Sequence, residues 1–212
     1  MRSDPEKRTW SGTIVSIQPR TAVWRYKLDN RTHSHLGYNM FLDGEVNGLE
    51  GTFSVAISEK QQQKAYFCLG DKVKGTAWTK MYAATEYADY YRAGALKVVE
   101  RAVGMDMGNP PPYLAPLPDM ATYGRRGARM LSSSCYKGKC FRCVWAAMAA
   151  VAIEYDWGVQ QKYRFESFCY GPKSCPYYKM GRPRAVPYKG DSPSYDDGCL
   201  DEILTEGRGR DE

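Results

Sequence analysis

Hydrophobic and polar positions alternate with a period of two through most of the first hundred residues, and this pattern predicts strands rather than helices. The alternating runs lie at 12–18, 23–28, 38–45, 52–57, 72–81 and 96–101. In 23–28 the apolar set is Trp24, Tyr26 and Leu28, so Arg25 and Lys27 are expected on the wet face. In 38–45 Tyr38, Met40 and Leu42 oppose Asn39, Phe41 and Asp43, and in 72–81 Val73, Gly75 and Ala77 face inward. That turns Lys72, Lys74, Thr76, Trp78 and Lys80 outward. Between the fourth and fifth runs, Ser58 stands three residues before Gln61 at the head of EKQQQKA, the spacing of a capping box on one short helix. Four strands, a helix and two more strands match a small OB-like β-barrel whose second strand is split or extended, although an SH3-like barrel would read almost the same way.

The pattern then breaks. Residues 104–120, GMDMGNPPPYLAPLPDM, hold five prolines and two glycines and predict an extended linker. Beyond it, AAVAIEYDW and KYRFESFC predict a hairpin turning across GVQQ. The expected fold class is therefore mainly β: a small OB-like β-barrel followed by a cysteine-rich metal-binding β-hairpin domain. The expected boundaries are a barrel at 1–103, a Pro/Gly-rich linker at 104–130, a four-cysteine metal-binding domain at 131–190 and an acidic mobile tail at 191–212.

A composition of 43% hydrophobic and 25% charged residues excludes a wholly disordered chain. The longest apolar run, VWAAMAAVAI, is about half of the roughly 20 residues that a membrane helix needs. The opening MRSDPEKRTW lacks the apolar stretch of a secretion signal, so no membrane partner and a cytoplasmic location are expected. Charge is unevenly spread: residues 1–103 hold 15 Lys/Arg against 11 Asp/Glu, 104–190 hold 13 against 5, and 191–212 hold 2 against 8. The basic excess of 104–190 suits a polyanion such as single-stranded nucleic acid. The acidic end is suited to fold back on that surface. Trp78 among Lys72, Lys74 and Lys80 has the composition of a stacking platform in a basic groove, and Arg142 adds a cation from the second half. The plainer alternative packs Trp78 against the rest of the chain. His33 and His35, read as loop residues, lack a third metal ligand nearby in sequence.

Seven cysteines is an odd number in a chain too long to need disulfide staples, and five of them crowd between 135 and 175. The spacing Cys140-x2-Cys143 and Cys169-x5-Cys175, joined by the hairpin, predicts four thiolates around one metal ion, with Cys135 as a possible additional ligand. Lys137, Lys139, Arg142 and Lys173 would offset the thiolate charge. Zinc suits this set, and a 2Fe-2S or 4Fe-4S cluster is the alternative. The order Cys135-x4-Cys140-x2-Cys143 resembles the loop of plant-type two-iron ferredoxins over about forty residues. The apolar run after Cys143 and the extra Cys175-Pro176 depart from that pattern.

Taken in order, GTIVSIQPR, SHLGYNMFLDGEV, GTFSVAI, LGDKVKGTAW, CFRCVW and CYGPKSCPYYKMGRPRAVP resemble an uncharacterised bacterial family with an OB-like front half and a four-cysteine back half. The resemblance spans nearly the whole chain. It implies the ligand set Cys140, Cys143, Cys169 and Cys175 over Cys135, and it implies no activity.

No nucleophile elbow, zinc-protease helix or phosphate-binding glycine loop occurs, so no catalytic residue is assigned. Glu154 and Asp156 look like the wet face of a strand. Glu166 beside Arg164 reads either as a cross-strand ion pair or as an acid or base. A binding module for single-stranded nucleic acid, an iron-sulfur electron-transfer or accessory protein, and a protein-interaction scaffold with a structural metal remain as the three functional expectations.

Overall fold

A computed structural model describes residues 4–26, 30–103, 117–154, 161–181 and 197–209. The fold is mainly β, built on a closed ring of strands. The ring comprises β1 (Lys7–Tyr26), β2 (Asn30–Val46), β3 (Leu49–Ile57), β4 (Lys72–Thr79) and β5 (Tyr90–Glu100), with α1 (Glu59–Ala65) between β3 and β4. Strand β1 pairs antiparallel with β2 on one side and β4 on the other, β2 with β3 and β4 with β5, and the parallel contact of β3 with β5 closes the circuit. The inward residues Ile14, Met40, Leu42, Val55, Ile57, Val73 and Ala77 are all at most 1% exposed and fill the ring. Ring closure forces close backbone approach where β1 crosses β2. A Cβ at Gly44 would lie 2.2 Å from Ser11 O. Helix α1 starts on the expected box, with Ser58 Oγ accepting from Gln61 N at 3.2 Å and Gln61 Oε1 accepting from Ser58 N at 2.8 Å.

The first two expected strands are a single one. Pro19, between the two expected runs, lies inside β1 opposite Tyr38, and a register shift between Pro19 and Thr21 absorbs its missing N–H. Strand β2 likewise starts at Asn30, so His33 and His35 lie on a strand opposite Val23 and Thr21 and not on a loop. Lys27 and Leu28 fall outside the described residues.

This long β1–β2 ribbon runs out of the ring and carries the back half. Strand β7 (Ala146–Glu154) pairs in parallel with β1 from Ala22 to Arg25, β8 (Gln161–Cys169) pairs antiparallel with β7, and the two-residue β6 (Arg129–Met130) pairs with the end of β8. The expected hairpin is therefore present, although most of its GVQQ turn and Asp156 lie outside the described residues. Helices α2 (Met120–Arg126) and α3 (Ser133–Lys137) and a 3-10 turn (Lys139–Arg142) surround it. One apolar cluster runs from Ile14 and Val55 through Tyr123 and Met130 to Val151 and Phe168, joining the ring to the back sheet.

Covering the ribbon reverses the faces expected for 23–28. Val23 and Arg25 are buried at 1% and 0%, and Trp24 is 37% exposed. Arg25 is tolerated inside because its Nε and Nη2 donate to Glu166 Oε2 at 3.0 and 2.7 Å, while Arg164 Nε donates to Glu166 Oε1. Glu166 thus does form an ion pair with Arg164, but its second and fully buried partner comes from β1.

Two further expectations are corrected. In the linker, 104–116 lies outside the described residues, whereas 117–130 is packed structure: α2 is capped by Asp119, and Tyr123 is fully buried with its hydroxyl on Val144 O. In the acidic tail, α4 (Asp197–Leu204) docks on the fold. Asp201 is 5% exposed, accepting from Arg31 Nη2 at 2.6 Å and from Met130 N at 2.7 Å. Gly127, at φ 65°, lies so close to α4 that a Cβ there would sit 1.9 Å from Leu204 O. Acidity holds this segment because it neutralises a buried arginine. Among the described residues no helix is long and apolar enough to cross a membrane.

Candidate functional site

The cysteines meet where the back sheet ends. Cys143 follows the 3-10 turn and donates its N–H to Cys140 O at 2.9 Å, so the two residues form one tight knuckle. Cys169 is the last residue of β8, in register with Ala146 of β7 and Arg129 of β6. Cys140, Cys143 and Cys169 are buried in a small apolar cluster with Leu131 and Tyr136, and Cys135 of α3 packs against it. Cys175 follows in the next turn and is partly exposed. All seven cysteines are free thiols.

Backbone N–H groups already point at two of the sulfurs, Trp145 N to Cys143 Sγ at 3.4 Å and Gly171 N to Cys169 Sγ at 3.3 Å. Such donors stabilise negative charge on sulfur. Burial pushes the Cys140 thiol up to about 12, with added repulsion from Cys169, Cys135 and Cys175. Burial likewise raises Cys143, with the charge of Cys169 adding to it, and raises Cys169 against the opposing charge of Arg129. These thiols sense one another's charge, so an ion among them would favour the thiolates together. Among the described residues, no group of three or more His, Cys, Asp or Glu side chains stands in an arrangement that could hold a metal ion. The five sulfurs form a neighbourhood and not a finished coordination shell. Lys139 lies over the Tyr177 ring at 4.8 Å, and Arg129, which sequence reasoning missed, supplies the cation nearest Cys169.

The 3-10 turn also anchors the back half to the ring. Phe141 O accepts from Ser16 Oγ and Gln18 Nε2, each at 2.6 Å, and Gln18 Oε1 accepts from Tyr136 at 2.8 Å. Arg142 therefore belongs to this turn and not to the β4 face that carries Trp78.

On β4 the expected alternation holds: Val73 and Ala77 are buried, while Lys72, Lys74 and Trp78 are exposed. Lys72 pairs with Glu100 at 2.7 Å, and Lys80, just past the strand, sits 3.5 Å from Asp89. Both are surface pairs of small energy that an incoming phosphate could replace. Trp78, 36% exposed, borders a cleft of about 440 Å³ whose walls include Arg20, Gln61, Tyr91 and Arg92. Arg20, Tyr91 and Arg92 were not singled out in the sequence, and Gln61 was singled out only as a capping residue. Arg20 arrives from β1, and Tyr91 and Arg92 lie in a stretch whose Gly and Ala residues hide the start of β5.

Of the ten described cations of 104–190, Arg129 alone is buried and six are exposed. Arg126 and Arg208 donate to Tyr170 O at 2.6 and 2.9 Å, and Arg129 donates to Pro172 O at 2.7 Å. The cations at 182–190 lie outside the described residues.

His33 faces the same interior. Its Nδ1 is 3.0 Å from Tyr170 Oη, the Tyr170 hydroxyl donates to Thr21 Oγ1 at 3.4 Å, and its Nε2 is buried without a partner. Burial, then the charge of Arg31, holds the His33 pKa well below the usual 6.5. The fold therefore keeps His33 neutral, and unfolding lets it take up a proton. Stability is fully present above pH 6.5 and falls by roughly 1.4 kcal/mol per unit below it, until the folded-state pKa is reached. Urea unfolding at pH 7.5, 6.0 and 5.0 should show this loss, and His33→Gln should flatten it.

Compared with known proteins, the chain matches no family model, no curated protein and no solved structure.

Proposed function

We propose that the protein is a metal-organised binding module, an OB-like ring that engages single-stranded nucleic acid through the Trp78 face. The strand circuit β1-β2-β3-β5-β4, with α1 between β3 and β4, supports the OB-like reading. The observation that carries the binding reading is the placement of Trp78, outward on the ring and open to a cleft that holds a second aromatic side chain and two arginines. Successive bases offer π-faces to such a platform whatever their sequence, and cations beside it take the phosphates. The soft donor set Cys140, Cys143, Cys169 and Cys175 suits zinc, with Cys135 in reserve, and two backbone N–H groups favour thiolate there. That ion would supply cohesion to the back half and not chemistry.

Trp78→Ala should weaken binding of a single-stranded oligonucleotide by about 1–3 kcal/mol without changing its salt dependence. Trp78→Phe should recover most of the loss. Fluorescence anisotropy with labelled DNA and RNA measures both, and absence of binding at low salt by the unaltered protein would sink the reading. Five neighbouring thiols also favour an iron-sulfur centre as a second reading, for which visible absorption of anaerobically purified protein is the test.

A further inference from the structure

The ring closes at a single parallel register pair, Val55 with Tyr90. Beyond it β3 leads into α1, and β5 bulges where its register against β4 shifts between Thr76 and Trp78. The cleft occupies the wedge between them. Gln61 braces it, donating from Nε2 to Ala93 O at 2.7 Å. The bulge holds Arg92 at φ 53°, a left-handed conformation that a non-glycine residue adopts only when its surroundings impose it. Arg92 is exposed and forms no hydrogen bond or ion pair among the described residues. Across the cleft, Arg20 is fixed by Nη2 donating to Leu36 O at 2.6 Å and by its guanidinium 5.7 Å from the centre of the Tyr91 ring. Its Nε is buried with no partner. Among the described residues Glu86 is the one carboxylate in the cleft wall, and its Oε2 is engaged by Met81 N and Tyr82 N at 2.6 and 2.8 Å.

A pre-positioned arginine, a second arginine held over the cleft by a bulge, and an open indole beside them define a two-part ligand: a planar ring and an anion one short linker away. We propose that this wedge is a nucleotide subsite, in which one base of a single strand stacks on Trp78 and its adjoining phosphate lies between Arg20 and Arg92. This rests on the single-strand reading and deepens it. The subsite takes a strand by a phosphodiester, and a free nucleoside monophosphate has the same two parts.

The test uses the full-length protein and fluorescein-labelled dT12 and rU12, with thymidine monophosphate and thymidine as competitors. Arg92→Gly removes the guanidinium and suits the left-handed backbone, and Arg20→Met keeps most of the packing. Each should weaken dT12 binding about tenfold and lower the slope of log affinity against log salt, by at most about 0.7, the share of the one phosphate they hold between them. Trp78→Ala should leave that slope unchanged. Thymidine monophosphate should compete and thymidine should not, and matched losses on dT12 and rU12 place recognition on base face and phosphate, not on the sugar. If both arginine variants bind with the original slope, the subsite is overturned. Continued sensitivity to Trp78→Ala would then leave single-strand binding standing, whereas no binding by the unaltered protein removes both.

Discussion

Arg25→Met will destabilise the protein by roughly 3–5 kcal/mol, because it leaves the buried Glu166 carboxylate with Arg164 as its one ion-pair partner among the described residues. Both side chains of the Arg25–Glu166 pair are 0% exposed, and the pair ties β1 of the ring to β8 of the back sheet. Glu166→Gln should cost a similar amount by removing the carboxylate charge that faces Arg25 and Arg164. The double substitution Arg25→Met with Glu166→Leu should recover much of the loss, since an apolar pair of similar volume carries no desolvation penalty. Urea denaturation of the three variants reads this directly. Single substitutions that each cost under about 1 kcal/mol would show that water or other groups compensate the charge.

The second large effect concerns the cysteines. Structural zinc sites contribute about 10–16 kcal/mol of apparent binding energy at neutral pH, comparable to the whole stability of a domain. Cys140→Ser or Cys169→Ser should therefore release the ion and open 131–181 to protease, with the ring core around Ile14, Met40 and Val55 the last to yield. Protection should also fall along 20–26 and 30–35, because those stretches are covered by β7 and by side chains of the back sheet. Cys199→Ser, on an exposed residue of α4, should be tolerated. Full metal and full protection in both of the first two variants would overturn the ligand assignment.

Much of the ring was legible because its signals are local. Alternation placed Met40 and Leu42 inside and Trp78 outside, and the Ser58–Gln61 box marked α1. The back half was legible only as a hairpin and a cysteine spacing. What stayed hidden depends on partners distant in sequence. Arg25 looks solvated until Glu166, 141 residues away, covers it. Asp201 looks like part of a tail until Arg31, 170 residues away, claims it. Deleting 191–212 would take the Asp201 carboxylate away from the buried Arg31. Tyr91 and Arg92 were invisible for another reason: a bulge follows no period, so no pattern announces where it aims a side chain.

Metal content and thiol reactivity of the natively purified protein together test the proposed four-cysteine zinc centre. About one zinc per chain is expected, with three of the seven thiols, Cys68, Cys135 and Cys199, reacting promptly with a thiol reagent, and the other four reacting only after a chelator is added. Protein free of bound metal, in which Cys140, Cys143, Cys169 and Cys175 react at rates that a chelator does not change, would contradict it.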